Sequence, residues 1–383
     1  MTTARARGLT REVDRALTVA AEQAGAAADD VDRDARLPAE ALKVLRDTNL
    51  IAAVVPRESG GLGLGLPALV EIAERLARSC AATAMIWAMH QTQLACVVRH
   101  HPGSPLLRTA VDRRWLIASV TSERGTGGDL RHSTTGVADG AAGRTTLEKD
   151  GTTVSYGAHA DAYLVTARRS ADADPGDQVA VLVGREQVEL EQQGTWDTLG
   201  MRGTCSPSFR LRAAFDRDQI LPVPFRTVAA MTMVPVSHLL WAGVWHGIAI
   251  EAVDRGVRCV RRRVLAGGSG DVPELALAHS RLLGMRAQLD AAVQAVEPVL
   301  AAGAEPTLGL GVQLNALKVA ASESAVEITQ LALRVCGMAG FTERGPHSVA
   351  RLLRDACSAP LMIGNGRLLA VNAQTLLLSR GER

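Results

Sequence analysis

VTSERGTGGDL, residues 120–130, follows a short apolar run at 116–120 that reads as a strand, then opens into a loop carrying Gly125, Gly127 and Gly128. Glycine lets backbone N–H groups converge on a ligand with no side chain between, so such a loop suits anionic or carbonyl oxygens. The spacing fits neither the dinucleotide nor the P-loop fingerprint, both of which need a helix straight after the glycines. Here 131–143 is polar and rich in turn formers. A glycine-rich turn between strands is therefore the plain reading of the loop by itself, and its weight comes from what flanks it.

On both sides the chain is helical. Before it, Leu37-Pro38 opens a helix with proline near the first position, and Leu42, Leu45 and Leu50 form its apolar side. A loop at 54–67 carries Pro56 and glycines 60, 61, 63 and 65, which forbid a regular element. From Pro67, the apolar positions Leu69, Ala73, Leu76, Cys80, Ala84 and Trp87 recur at helical spacing, with small residues at 79–82 marking a break between two helices. His90 reads as a packed core histidine. After the glycine loop come short β-branched or apolar runs at 145–147, 152–156, 163–167, 179–183 and 209–211, separated by turns. They predict a small antiparallel sheet or barrel. From Pro235 onward the helical pattern returns, with helices expected near 274–301, 314–335, 349–356 and 361–378, an antiparallel bundle. Five arginines between 255 and 263 crowd one helix end, either as solvated dipole partners or as an anion site.

The composition narrows the class. With 42 Lys plus Arg against 40 Asp plus Glu in 383 residues, the charge is nearly balanced, which argues against nucleic acid and against a polybasic membrane anchor. No uninterrupted apolar run approaches the roughly 18 residues of a membrane span, and the N-terminus lacks a signal-peptide h-region. Six scattered cysteines with no metal-ligand spacing read as reduced core residues, so a cytoplasmic protein with no metal is expected.

Helices, a β insert and a helical bundle, in that order, resemble the acyl-CoA dehydrogenase family, and the resemblance spans nearly the whole chain. LPAEALKVLRDTNLIAAVVPRESGGLGLGL is similar to the family's opening, and SERGTGGDL at 122–130 to its T/S-E-P-x-A-G-S-D loop. VSYGAHADAYLVTAR at 154–168, WDTLGMRGTCS at 196–206, CGMAGF at 336–341 and RLLRDA at 351–356 fall where the family has W-I-T/S, LG-x-R-G, GG-x-G and R-D-A motifs. The resemblance implies an α+β chain with a helical domain at 1–114, a middle antiparallel β domain at 115–225 and a four-helix bundle at 226–383. It further implies FAD between the β domain and the helices, in a homodimer or homotetramer, acting on an acyl thioester of coenzyme A or a carrier protein. By position, Ser122 meets the flavin's pyrimidine edge, Gly127 and Gly128 approach substrate or pyrophosphate, and Ser155 lies near N5. Gly337 and Gly340 match the turn that receives the neighbouring subunit's cofactor, and Asn365 and Arg367 fall where the last helix meets it. Thr153 stands where the family has a ring-covering tryptophan; Trp196 and Trp241 read as core or interface aromatics.

The departure lies at the base. Thioester dehydrogenation needs a carboxylate to take the α-proton. The family's I-Y-E-G-T run is LMIGNG here, with Ile363 in the Glu position, and the alternative home on the first bundle helix is Ser237, beside His238. Three readings follow: a dehydrogenase with its base relocated to His238, a flavin-dependent monooxygenase on the same fold, and a binding protein without chemistry.

Overall fold

The computed structural model describes residues 8–127 and 129–378. Five helices come first: α1 (Arg11–Arg33), α2 (Ala39–Asp47), α3 (Leu66–Ser79), α4 (Ala81–His100) and α5 (Pro105–Asp112). The Thr10 hydroxyl accepts from the Val13 N–H and so caps α1. Between α3 and α4 the chain breaks at Cys80, whose extended backbone sits in the predicted run of small residues. α4 buries residues on every side, including Gln91, Thr92 and Gln93. A helix buried all round needs a polar reason at each such position.

Two sheets follow. β1 (Ile117–Val120), β4 (Ala162–Arg168) and β5 (Gln178–Gly184) form one, in the order β1-β4-β5. β2 (Ala138–Asp139), β3 (Thr145–Gly151), β7 (Phe209–Phe215) and β6 (Val188–Gln192) form the other, in the order β2-β3-β7-β6. All pairings are antiparallel except β1 with β4, where Ile117 to Val120 run beside Ala162 to Val165 in parallel. The expected purely antiparallel sheet is corrected there, because 41 residues of crossover separate the two strands and no hairpin links them. The run at 152–156, expected as a strand, is a turn. It ends on Tyr156 in the left-handed region at φ 46°, with its hydroxyl donating to the Ile117 carbonyl at 2.9 Å.

The C-terminal part opens with α6 (Phe225–Val228), passes through a π-helical turn at Ala229–Met233, and continues as α7 (Val234–Leu265). α8 (Pro273–Ala301), α9 (Leu308–Cys336), α10 (Met338–Phe341), α11 (Ala350–Ala356) and α12 (Asn365–Leu378) complete it. The helical run Phe225–Leu265 contains an 18-residue window, of mean hydropathy 1.4, long and apolar enough to cross a bilayer, and 67% of that window is buried inside the protein. Its apolar side chains are covered by α3, α4, α8 and α9. At Gly247 α7 comes so close to α3 that a Cβ would lie 2.3 Å from the Glu74 carbonyl oxygen. This close approach seats the bundle on the N-terminal helices and leaves a cleft where both meet the sheets.

Candidate active site

A cavity of about 960 Å³ occupies that cleft. Its walls come from α4, from β1 and the glycine loop after it, from the turns at 152–156 and 196–201, from the start of α7, and from 354–367. Of the seven described non-glycine residues with positive φ, three line it: Tyr156, Met201 and Ile363, at φ 46°, 52° and 49°. Left-handed backbone at a β-branched residue such as Ile363 persists only where the surroundings enforce it, and such strain gathers at functional sites. The π-turn, another device common at such sites, delivers Met233 to the same wall.

One wall is polar and built of hydroxyls: Ser119, Thr121, Ser122, Thr152, Thr153 and Ser155. Ser122 Oγ donates to the Thr153 carbonyl at 3.1 Å, tying the glycine loop to the 152–156 turn, and Ser155 Oγ accepts from Ser206 at 2.9 Å. Behind the loop, Glu123 is almost fully buried. It accepts from Ser133 Oγ at 2.6 Å, from Thr135 N–H at 2.7 Å and from both the hydroxyl and the N–H of Thr134, and lies 3.5 Å from the buried Lys149 ammonium. Burial alone would raise its pKa, but the hydroxyl donors and Lys149 outweigh it and hold the carboxyl at about 2. This glutamate is thus the anchor of the loop. Apolar side chains complete the lining, among them Met89, Val234, Trp241, Leu361, Met362 and Ile363. Arg354 and Arg367 also line the cavity, and Arg367 Nη2 donates to the Gly127 carbonyl at 2.7 Å, clamping the glycine loop to α12.

Of the residues expected from the sequence, the structure brings Ser122, Gly127 and Ser155 together on the cavity wall. Gly128 lies outside the described residues. His238 is placed elsewhere, and the expectation that it acts as base is corrected. It is buried and off the cavity, with its ring 6.2 Å from Trp241; burial, then the Lys318 charge, hold it at about 4. Ser237, its neighbour, faces the cavity in its stead because successive helix positions point about 100° apart. Gly337 and Gly340 sit off the cavity, the first at the end of α9 and the second in α10. Gly337 caps the helix at φ 58°, and Gly340 packs where a Cβ would lie 2.6 Å from Cys336 Cβ. Asn365 also stands behind the wall, bonded to Lys318, Ser322 and Glu323. Trp196 and Trp241, expected in the core or an interface, line the cavity. In the arginine cluster, Arg255 and Arg258 pair with Glu251 and Arg263 donates to the Val335 carbonyl, so those three serve the bundle.

Gln93, Arg354 and Met89 are wall residues that the sequence reading did not single out, although Arg354 lies within the quoted RLLRDA run and Met89 and Gln93 lie either side of the polar Gln91-Thr92 step of α4. Gln93 Oε1 and Trp241 Nε1 are buried with no hydrogen-bond partner. The volume, the hydroxyl edge, two indole rings and two guanidinium groups fit a flavin with its anionic phosphate. No Asp, Glu or His is among the described residues lining the cavity, and no cluster of three or more His, Cys, Asp or Glu among the described residues is placed to hold a metal.

The N-terminal domain model of acyl-CoA dehydrogenase matches residues 11–123 and the C-terminal domain model residues 227–370. The L-evernosamine nitrososynthase of a Micromonospora species is 30% identical over 283 residues, 70% of this chain and 66% of that enzyme. The probable acyl-CoA dehydrogenase FadE25 of Mycobacterium leprae is 27% identical over 365 residues, 91% of this chain and 90% of that protein. Among solved structures, the dibenzothiophene monooxygenase TdsC of Paenibacillus sp. A11-2 superposes with a TM-score of 0.79 at 22% identity, covering 96% of this chain and 98% of that one. The chain belongs to the acyl-CoA dehydrogenase family, whose members are flavin-dependent oxidoreductases.

Proposed function

We propose that this chain is a flavin-dependent monooxygenase that oxygenates a nucleophilic nitrogen, sulfur or electron-rich carbon of a small molecule. The observation that carries the reading is the cavity wall, on which no described residue is a carboxylate or a histidine. No described residue of that wall offers the carboxylate or histidine that would take the α-proton of an acyl thioester, which weighs against the dehydrogenase reading. Oxygenation of a nucleophile has no such need. With no carboxylate among the described wall residues to pair with an ammonium ion, a bound amine is held as its reactive free base. The similarity to a nitrososynthase supports the amine version of this reading.

A bound flavin, when reduced, supplies two electrons to O₂, so that one oxygen atom enters the substrate and the other leaves as water. The protein's own contributions are positional. Ser122, Ser155 and the Gly127 backbone would hold the ring edge, Arg354 or Arg367 the phosphate, and Trp241 and Met362 would exclude water from the reacting face. Thr153 is not aromatic, and Trp196 and Trp241 are the indoles on the wall that replace the family's ring-covering tryptophan. We further propose a cytoplasmic homo-oligomer. The six cysteines are unpaired, which supports a reducing compartment, and Leu283, Met338, Phe341 and Leu369 are exposed apolar side chains suited to contacts between copies.

The test has two arms. Purified protein loaded with FAD or FMN and supplied with a reducing system should consume O₂ in step with product formation on amines, indoles or thioethers. The relocated-base dehydrogenase predicts instead that acyl-CoA or acyl-carrier thioesters bleach the flavin under strict anaerobiosis. Anaerobic bleaching would overturn the proposal.

A further inference from the structure

Lys318 is fully buried on α9, and neither the flavin fit nor the chemistry above uses it. Its ammonium donates to the carbonyl of Ala359 at 3.1 Å, to the carbonyl of Ile363 at 3.0 Å and to Asn365 Oδ1 at 2.8 Å, and stands 5.6 Å from the centroid of the Trp245 ring. An ammonium has three N–H donors. All three go to one short segment, residues 359–365, and that segment supplies Leu361 to Gly364 to the cavity wall. In the middle of it Ile363 holds φ 49°, a conformation that a β-branched residue leaves unless it is held. A buried cation with no carboxylate in hydrogen-bond contact is costly, so its retention calls for a structural return.

We propose that Lys318 is the positioning residue of the site: by binding the carbonyls on both sides of the loop it keeps Ile363 left-handed and so sets the wall against which the substrate is placed. This rests on the oxygenase reading for its consequence, but the positional claim stands on the loop alone. The charged and titratable groups around Lys318 are Glu323 on its own helix and His238 on α7. Burial, opposed by Glu323, lowers Lys318 to about 8. A neutral amine has two N–H donors for the three acceptors, so the loop should loosen as pH rises through that value.

The experiment is hydrogen exchange by mass spectrometry on the peptide covering 357–367, in protein without flavin or substrate, comparing wild type, Lys318→Met and Lys318→Met with Ile363→Gly. Lys318→Met should exchange that peptide about tenfold faster with the α9 core unchanged. The double variant should bring part of the protection back toward wild type, since glycine adopts positive φ without strain. In turnover, Lys318→Met should raise KM about tenfold with kcat within about threefold. Unchanged exchange in Lys318→Met, or no recovery in the double variant, would overturn the proposal. If Lys318→Met does not fold, wild-type protection of this peptide relative to the rest of the chain decides between pH 7 and 9: a selective loss supports the proposal and none refutes it. Loss of oxygenase activity with the exchange pattern intact would sink the functional reading alone.

Discussion

Replacing Glu123 with glutamine tests the anchor of the cavity loop. The change is nearly isosteric, yet among the described residues it removes the only negative charge within ion-pair distance of the buried Lys149, whose ammonium also bonds the Thr166 carbonyl at 2.6 Å and hydroxyl at 2.8 Å. It also turns one acceptor toward Ser133 and Lys149 into a donor. Removing one member of a buried ion pair costs about 3–5 kcal/mol. Lys149→Met should cost less, about 1–3 kcal/mol, because Glu123 keeps its hydroxyl and backbone donors. The double variant should fall short of the sum by about 1–3 kcal/mol. The sign with pH is set by Lys149, which burial lowers to about 8 against the opposing pull of Glu123. In Glu123→Gln the lysine is neutral from a lower pH, so the deficit should shrink as pH rises from 7 to 9. Urea unfolding followed by tryptophan fluorescence measures all of this, and flavin titration should show weaker binding, since loop 122–130 loses its tether. A deficit below about 1 kcal/mol, or strict additivity in the cycle, would refute the argument.

Three further outcomes are expected. His90 donates from Nε2 to the Ile51 carbonyl at 2.8 Å and accepts the Ile117 N–H on Nδ1 at 3.0 Å, and burial holds it neutral down to about 4. His90→Leu should therefore cost about 1–3 kcal/mol at pH 8 by orphaning the Ile117 N–H. The wild type loses stability as pH falls from 6.5 to 4, because only the unfolded histidine takes up a proton. The gap should thus narrow by about 2 kcal/mol at pH 5; a pH-independent gap in denaturant titrations would exclude a neutral His90. Gly200→Ala should destabilise by more than about 3 kcal/mol, since its Cβ would lie 2.1 Å from the Arg354 carbonyl oxygen; a near-neutral melting temperature would contradict that packing. Arg367→Met should weaken flavin binding about tenfold by releasing the Gly127 carbonyl, with little change in melting temperature of the flavin-free protein.

The helices were legible because their periodicity is local: the break at Cys80 and the α8 and α9 runs follow from spacing and small residues alone. The strand run at 152–156 misled because β-branched residues also suit a turn whose shape is fixed by Tyr156 reaching across to β1, a contact between residues 39 apart. Site residues on the glycine loop were found because glycine and hydroxyls advertise a backbone ligand. His238 was misplaced because one step along a helix turns a side chain by about 100°, and only the packed bundle says whether Ser237 or His238 faces the cleft. Gln93 escaped notice, and Arg354 was read only as part of the RLLRDA run, because each joins the wall only through tertiary approach.

The left-handed trio around the cavity has a consequence for anyone seeking a hardier version of this protein. Tyr156 and Met201 are buried, so a small residue there would leave a cavity; Ile363 is the member of the trio where glycine or asparagine would relieve backbone tension at little cost in packing, so a screen for heat tolerance alone should enrich such exchanges there. Each exchange would also let a side of the reaction chamber relax, and the sturdiest survivors should be the least selective catalysts.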